Sequence, residues 1–288
     1  MKYIVSLMFG GILITSTLTA QNTANNGSRI LDAVPVTSTA EDMVTEISTR
    51  ELFVMENSMN DYSSTTWSRD IYRQISDDVE GNETFFYPQQ STDKRINLFS
   101  TLINLLSTNT IVAYKYEAQP DMSDESILDV RDVLKDNIIP FTENTNHTVT
   151  VKKEDIPSSK ILHYLVKEKW YYDIKTGKGD VRVTHICPVL FDKGKHYPMF
   201  WIRFDDVSVY LARAVSPVGV ANVTPVLSNA SIFDIIRNRY YRGCIYQVGL
   251  RQLSVYFPDM KDLIAERMRI ENELDYIQSK FYAAERRR

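Results

Sequence analysis

Apolar and polar residues alternate with a period of two through the centre of this chain and with spacings of three and four on either side. Trp170, Tyr172 and Ile174 alternate with Tyr171, Asp173 and Lys175, the mark of a strand with one buried face. The run Lys175-Thr176-Gly177-Lys178-Gly179-Asp180 follows and supplies residues that tolerate positive φ, as a hairpin turn requires. Val181, Val183, His185, Cys187 and Val189 then repeat the period and are predicted to share one face. After a second break at Lys193-Gly194-Lys195, Phe200, Ile202 and Phe204 share a face, with Trp201 and Arg203 opposite. The pattern predicts a half-buried antiparallel β-meander over about 161–204, with a further strand near 240–248.

Helical spacing dominates elsewhere. Thr39-Ala40-Glu41-Asp42 starts a weakly amphipathic helix that runs to about Met59. Trp67, Ile71 and Ile75 predict a second helix, with Arg69, Arg73 and Asp77 pointing away from that stripe. Phe85-Phe86-Tyr87-Pro88 is expected to be extended, Ile96 to Leu106 helical, and Thr110 to Tyr116 a strand. Ile127, Val130, Leu134 and Ile138 predict a helix that starts near Ser123 and stops before Pro140. Past Phe204 the period switches again. Asp205 caps a short helix carrying Val207, Tyr210, Leu211 and Ala214, Val218 to Asn229 is loop-like, and Ser231 to Arg239 is helical. A long C-terminal helix spans about Asp259 to Glu285, with Met260, Leu263, Ile270, Leu274, Ile277 and Phe281 in a seam that only Arg267 interrupts. Such a seam fits a coiled-coil-like contact with a partner, or a helix docked on its own domain; amphipathicity alone does not separate the two. Arg286 to Arg288 suit the negative end of the helix dipole. The fold class is α+β, an antiparallel meander packed with amphipathic helices. Within the α+β region 41–288 the polar stretch 143–159, with Pro157, is either an exposed connection or a boundary between two lobes.

The first twenty residues change the picture. Lys2 precedes an apolar run from Tyr3 to Ile14 and a small polar stretch ending at Ala20, the pattern of a secretory signal peptide over 1–20. That run is too short for a membrane span. Residues 21–40 are rich in Asn, Thr and Ser and lack a period, as in a flexible leader. With no cysteine near the cleavage point, lipoprotein acylation is excluded, and no later segment reaches spanning length, so direct membrane insertion is not expected. Loss of Lys2 with the signal takes the net charge from −4 to −5. Charges of both signs are interspersed, which argues against nucleic acid as a partner. Cys187 and Cys244 are the only cysteines; in an oxidising compartment they are a candidate disulfide, against which Cys187 shares its strand face with apolar residues.

Candidate chemistry is sparse. His147, His163, His185 and His196 have no metal-ligand spacing, and neither a GxSxG elbow nor a phosphate-binding loop is present in the sequence. His185 and Cys187, two apart on one strand, could form a thiolate–imidazolium couple or a buried neutral pair. Asp77-Asp78 and Asp205-Asp206 could serve acid–base work on a glycan, yet both pairs fall at predicted helix ends, where acids cap or are solvated. No catalytic residue, metal site or cofactor is therefore assigned. Aromatic residues beside arginines are instead what interfaces concentrate. Trp201 and Arg203 form the sharpest candidate partner surface, followed by Arg237 and Arg239 and by Leu263, Ile270, Leu274 and Ile277 of the terminal seam.

The meander resembles that of the GldN (PorN) family of gliding-motility and type IX secretion proteins. The likeness extends upstream through Trp67-Ser68-Arg69-Asp70-Ile71-Tyr72-Arg73, Phe86-Tyr87-Pro88 and Leu98-Phe99-Ser100. Downstream it takes in Ser231-Ile232-Phe233-Asp234, Arg237, Arg239, Tyr241 and Ile245-Tyr246. It covers about Trp67 to Val248, and the ordered set of motifs carries it. The resemblance implies a non-enzymatic periplasmic subunit, held at the outer membrane by a GldK/PorK-type lipoprotein. With that lipoprotein and neighbouring copies of itself it would build a ring that meets a GldM/PorM-type stalk. A periplasmic module that binds or hydrolyses peptidoglycan or another envelope ligand is the alternative.

Overall fold

A computed structural model describes residues 65–90, 96–145, 148–173, 175, 178–213 and 231–285. The signal segment, the leader, the helix expected at 41–59, His147, the loop at 218–229 and Arg286–Arg288 lie outside the described residues. In chain order come β1 (Thr65–Ser76), the one-turn helix α1 (Glu83–Phe86), α2 (Leu98–Ser107), β2 (Ala113–Lys115), β3 (Ile127–Leu128) and α3 (Val130–Asp136). A separate small hairpin, β4 (Thr142–Glu143) with β5 (Val149–Thr150), precedes the long central strands β6 (Ile161–Asp173) and β7 (Lys178–Asp192). Then follow β8 (Lys195–Pro198), β9 (Phe200–Arg203), α4 (Phe204–Arg213), α5 (Ile232–Arg237), β10 (Gly243–Val248), β11 (Arg251–Gln252), α6 (Leu253–Tyr256) and α7 (Met260–Glu285). The protein is thus α+β, and its meander and terminal helix fall where the periodicity puts them.

One antiparallel sheet runs in the order β11-β10-β1-β6-β7-β9-β2-β3, with β8 paired to β7. β1 lies between β10 and β6, so the helix expected through Trp67, Ile71 and Ile75 is a strand. The four-residue spacing of those residues satisfies a period of two as well as one of 3.6. On a strand, Arg69 and Arg73 also join the face of Trp67, Ile71 and Ile75 instead of pointing away from it. Pairing on both sides, unavailable to a local propensity argument, decided the outcome.

The meander contains a second departure. Glu168 opposes Val183 and Lys167 opposes His185, which leaves Thr184 as an extra residue whose hydroxyl donates to Lys167 O at 3.2 Å. Such a bulge reverses the facing of everything beyond it. Val181 therefore packs with Ile71, Trp170 and Ile245 on one side of the sheet, whereas Cys187 and Val189 pack with Tyr72, Tyr114 and Trp201 on the other. The single face expected for Val181 through Val189 is corrected accordingly.

Smaller corrections follow from capping. Phe85 and Phe86 are helical and buried. α3 starts only at Val130, where the Asp129 carboxylate accepts from Arg131 N, and Ile127 lies in an edge strand. At the far end Ile138 is exposed with φ 55°. α5 carries a capping box, Ser231 accepting from Asp234 N while Asp234 accepts from Ser231 N, which fixes its start beside α4; there Phe204 and Phe233 stack at 6.0 Å. The described residues all belong to one compact unit. Within the polar 143–159 stretch Ser158 is tied to α2 by a 2.9 Å hydroxyl–hydroxyl bond with Ser100.

Candidate functional site

Glu168 and Trp170, two apart on β6, stand on the sheet face that α7 covers. Glu168 is completely buried, and a buried carboxylate persists only where charges and donors compensate its lost hydration. Tyr241 donates its hydroxyl to Glu168 Oε1 at 2.7 Å, and Trp170 Nε1 donates to Oε2 at 2.9 Å. Arg239 Nε stands 3.3 Å from Oε1, its guanidinium lying 4.6 Å from the centre of the Trp170 ring. From β1, Arg73 Nε approaches Oε1 to 3.0 Å, an ion pair too bent to count as a hydrogen bond. Burial by itself would raise the Glu168 carboxyl; Arg73, Arg239 and the two donors outweigh it and hold the group below the usual carboxylate range. Burial together with the Glu168 charge pushes the Tyr241 phenol well up, so it stays a donor.

α7 completes this cluster. Arg73 grips Glu271 through both terminal nitrogens, Nη2 donating to Oε2 at 2.9 Å, and also donates to Gly243 O at 3.2 Å. Arg69 pairs with Glu273 at 2.7 Å, Arg239 donates to Gln278 Oε1 at 3.4 Å, and Arg267 donates to Ile245 O at 2.8 Å. Two guanidiniums, Arg73 and Arg239, thus face two carboxylates, one of them supplied by the helix. Between these polar contacts Leu263, Ile270 and Leu274 pack on Ile71, Trp170, Val181, Ile245 and Leu253, with Ile277 and Phe281 at the margin. Each fully buried aliphatic contributes on the order of 1.5–3 kcal/mol. Near the end of the helix the Phe281 ring sits against Trp67 and Tyr172, and directly over Gly179, where a Cβ would fall 2.1 Å from ring carbons. Hence the terminal seam docks on its own sheet, and Arg267, the polar interruption, is used.

Trp201 is a core residue, fully buried, with Nε1 donating to Glu117 O at 2.9 Å and rings of Tyr72 and Tyr116 against it. That removes Trp201 from the candidate partner surface, because the loop after β2 covers the face on which it stands. Arg203 remains half exposed, 3.8 Å from Asp206. Arg237 binds Asp180 at 3.1 Å and Arg239 belongs to the buried cluster, so these two arginines are separated in role. Leu263, Ile270 and Leu274 are likewise buried within the chain.

Cys187 is buried, Cys244 exposed, and both are free; the candidate disulfide is not formed. His185 is pushed down to about 3 by burial and then by Lys167 and Arg203, while burial pushes the Cys187 thiol well up. The two stand as a neutral pair, without the thiolate–imidazolium couple. Asp205 and Asp206 lie in the first turn of α4; burial raises both, Arg182 and Arg203 lowering Asp205 and Arg203 lowering Asp206. Asp77 and Asp78 follow the end of β1, a strand end in place of the expected helix end. Among the described residues no group of three or more His, Cys, Asp or Glu could hold a metal ion, and no helix is long and apolar enough to cross a membrane. Sequence reasoning missed the Glu168 cluster because it followed from reading β1 as a helix. A strand reading would have placed Arg69 and Arg73 among apolar side chains, flagging buried cations in need of carboxylates.

These features define a class: an α+β protein built on one antiparallel sheet, with a terminal helix locked onto it by paired charges. The chain belongs to the GldN family, whose description is gliding motility associated protein GldN and whose model matches residues 60–283. The match runs from just before β1 into the last turns of α7, so it includes both partners of the charge cluster. No curated protein matches the chain.

Proposed function

We propose that this protein is a non-enzymatic structural subunit of a type IX secretion apparatus, working in the periplasm. It would form a ring with a GldK/PorK-type outer-membrane lipoprotein and further copies of itself, contacting a GldM/PorM-type stalk. The apparatus exports proteins across the outer membrane and, in gliding species, supports motility. The observation that carries this reading is the family match over 60–283. The arrangement of charge is consistent with it: Glu168 and Arg73, the charged side chains buried among the described residues, help hold α7 in place and present no reactive group to solvent. Of the arginines expected at a partner surface, Arg203 is the one that stays half exposed on a sheet strand.

Arg203→Glu tests the reading. Its nearest acid, Asp206, is 3.8 Å away and partly exposed, so loss of that pair should change stability by no more than about 1 kcal/mol. Binding to the lipoprotein partner should fall at least tenfold while circular dichroism is unchanged. Unchanged binding would remove Arg203 from the interface, and lost secondary structure would mean that it is a folding residue.

A further inference from the structure

Two histidines meet on the sheet face away from α7. His163 stands on β6 opposite Val189 of β7, and His196 stands on β8 opposite Phe191 of β7. Val189 packs with Cys187 and Trp201 and not with the residues beneath α7, which fixes the face. Although β6 and β8 are not paired, the two imidazoles meet across β7 with ring centres 4.6 Å apart and planes 42° from parallel. We propose that His163 and His196 form a surface site for a divalent transition-metal ion of the zinc class, with waters completing its coordination.

Spacing, orientation and protonation support that ligand. Two imidazoles on one tetrahedral zinc, with Zn–N lengths of about 2.0–2.1 Å, hold their ring centres roughly 5 Å apart, close to the separation of this pair. β1 orients His163: its Nδ1 lies 3.0 Å from Oγ of Ser76, the residue opposite it in the ladder, and Ser76 Oγ also accepts from Gln74 Nε2 at 3.4 Å. A proton on Nδ1 donated to that hydroxyl leaves the lone pair on Nε2, the arrangement that holds a metal-binding histidine in one tautomer. Burial, then His196, lower His163 below the ordinary histidine value against the pull of the Asp78 charge. The ring is therefore neutral near pH 7, as a metal ligand must be. His196 is exposed, so the remaining coordination positions open to water. Imidazole donors suit zinc, copper or nickel, whereas calcium and magnesium prefer oxygen. Among the described residues no third His, Cys, Asp or Glu closes a cage, which makes the site an open, exchangeable one. An ion held there would clip the β7–β8 hairpin to a strand with which β8 shares no ladder. The site does not depend on the role proposed in secretion.

Titration with zinc chloride tests the proposal, using residues 21–288 without an affinity tag and in a Cys244→Ser background that removes the exposed thiol. Calorimetry should show one zinc bound per chain, and the melting temperature should rise with zinc concentration, because the ion binds the folded form; calcium chloride should do neither. His196→Gln changes an exposed side chain and should keep native circular dichroism while weakening zinc binding by at least about tenfold. His163→Asn should weaken it by a similar factor. The Phe191, His196 and His163 rings already follow one another at 4.9 and 4.6 Å. Absence of zinc uptake would mean that this ring packing is all the pair does and would overturn the site. Uptake unchanged in a folded His196→Gln protein would overturn it as well, placing the ion elsewhere.

Discussion

At Glu168 burial and pairing pull in opposite directions, and pairing prevails. Arg73, Arg239, Tyr241 and Trp170 hold the carboxyl below its ordinary range although no part of it reaches solvent. Replacing it with Gln keeps the shape but removes the charge that faces both Arg73 and Arg239, leaving Arg73 paired with Glu271. Glu168→Gln should therefore reduce stability by about 3–5 kcal/mol in urea denaturation. Because the folded pKa lies below the unfolded one, the contribution of Glu168 is fully present above the ordinary glutamate range. It is lost as pH falls from about 4.3 through the folded value. The gap between wild type and Glu168→Gln should be constant near neutrality and narrow in acid; a gap that widens in acid would contradict the assignment of charge.

The terminal helix and the sheet interlock at the scale of elements, with Gly179 as the tightest point. A methyl there would overlap Phe281, so the ring must shift and give up part of its contact with Trp67 and Tyr172, which loosens the end of α7. In Gly179→Ala, amide exchange in the last two turns of α7 should accelerate at least tenfold while β6 and β7 keep their protection; uniform protection would show that Phe281 does not anchor the helix. This is also where legibility in the sequence divides. α7, α4 and the meander were readable because long runs held one period, and the seam residues Leu263, Ile270 and Leu274 were named from spacing alone. β1 was not, since Trp67, Ile71 and Ile75 satisfy both periods. Nor was the bulge at Thr184, which one extra residue creates only in the company of its partner strand. Trp201 was recognised as an outstanding aromatic, but its burial depends on a loop 84 residues away, through Glu117 O.

For the whole molecule, ion pairs and an apolar seam join α7 to strands distant from it in sequence. Among the described residues Arg203 is half exposed on the sheet, and the apolar side chains of Leu250, Val255 and Tyr256 are exposed ahead of α7. The most direct measurement is the solution mass of residues 21–288, alone and mixed with the soluble part of the cognate GldK/PorK-type lipoprotein, by light scattering after size-exclusion chromatography. A stable co-complex, or a larger ring of defined mass, is the predicted result. A monomer that ignores that lipoprotein would contradict the proposed role as a ring subunit.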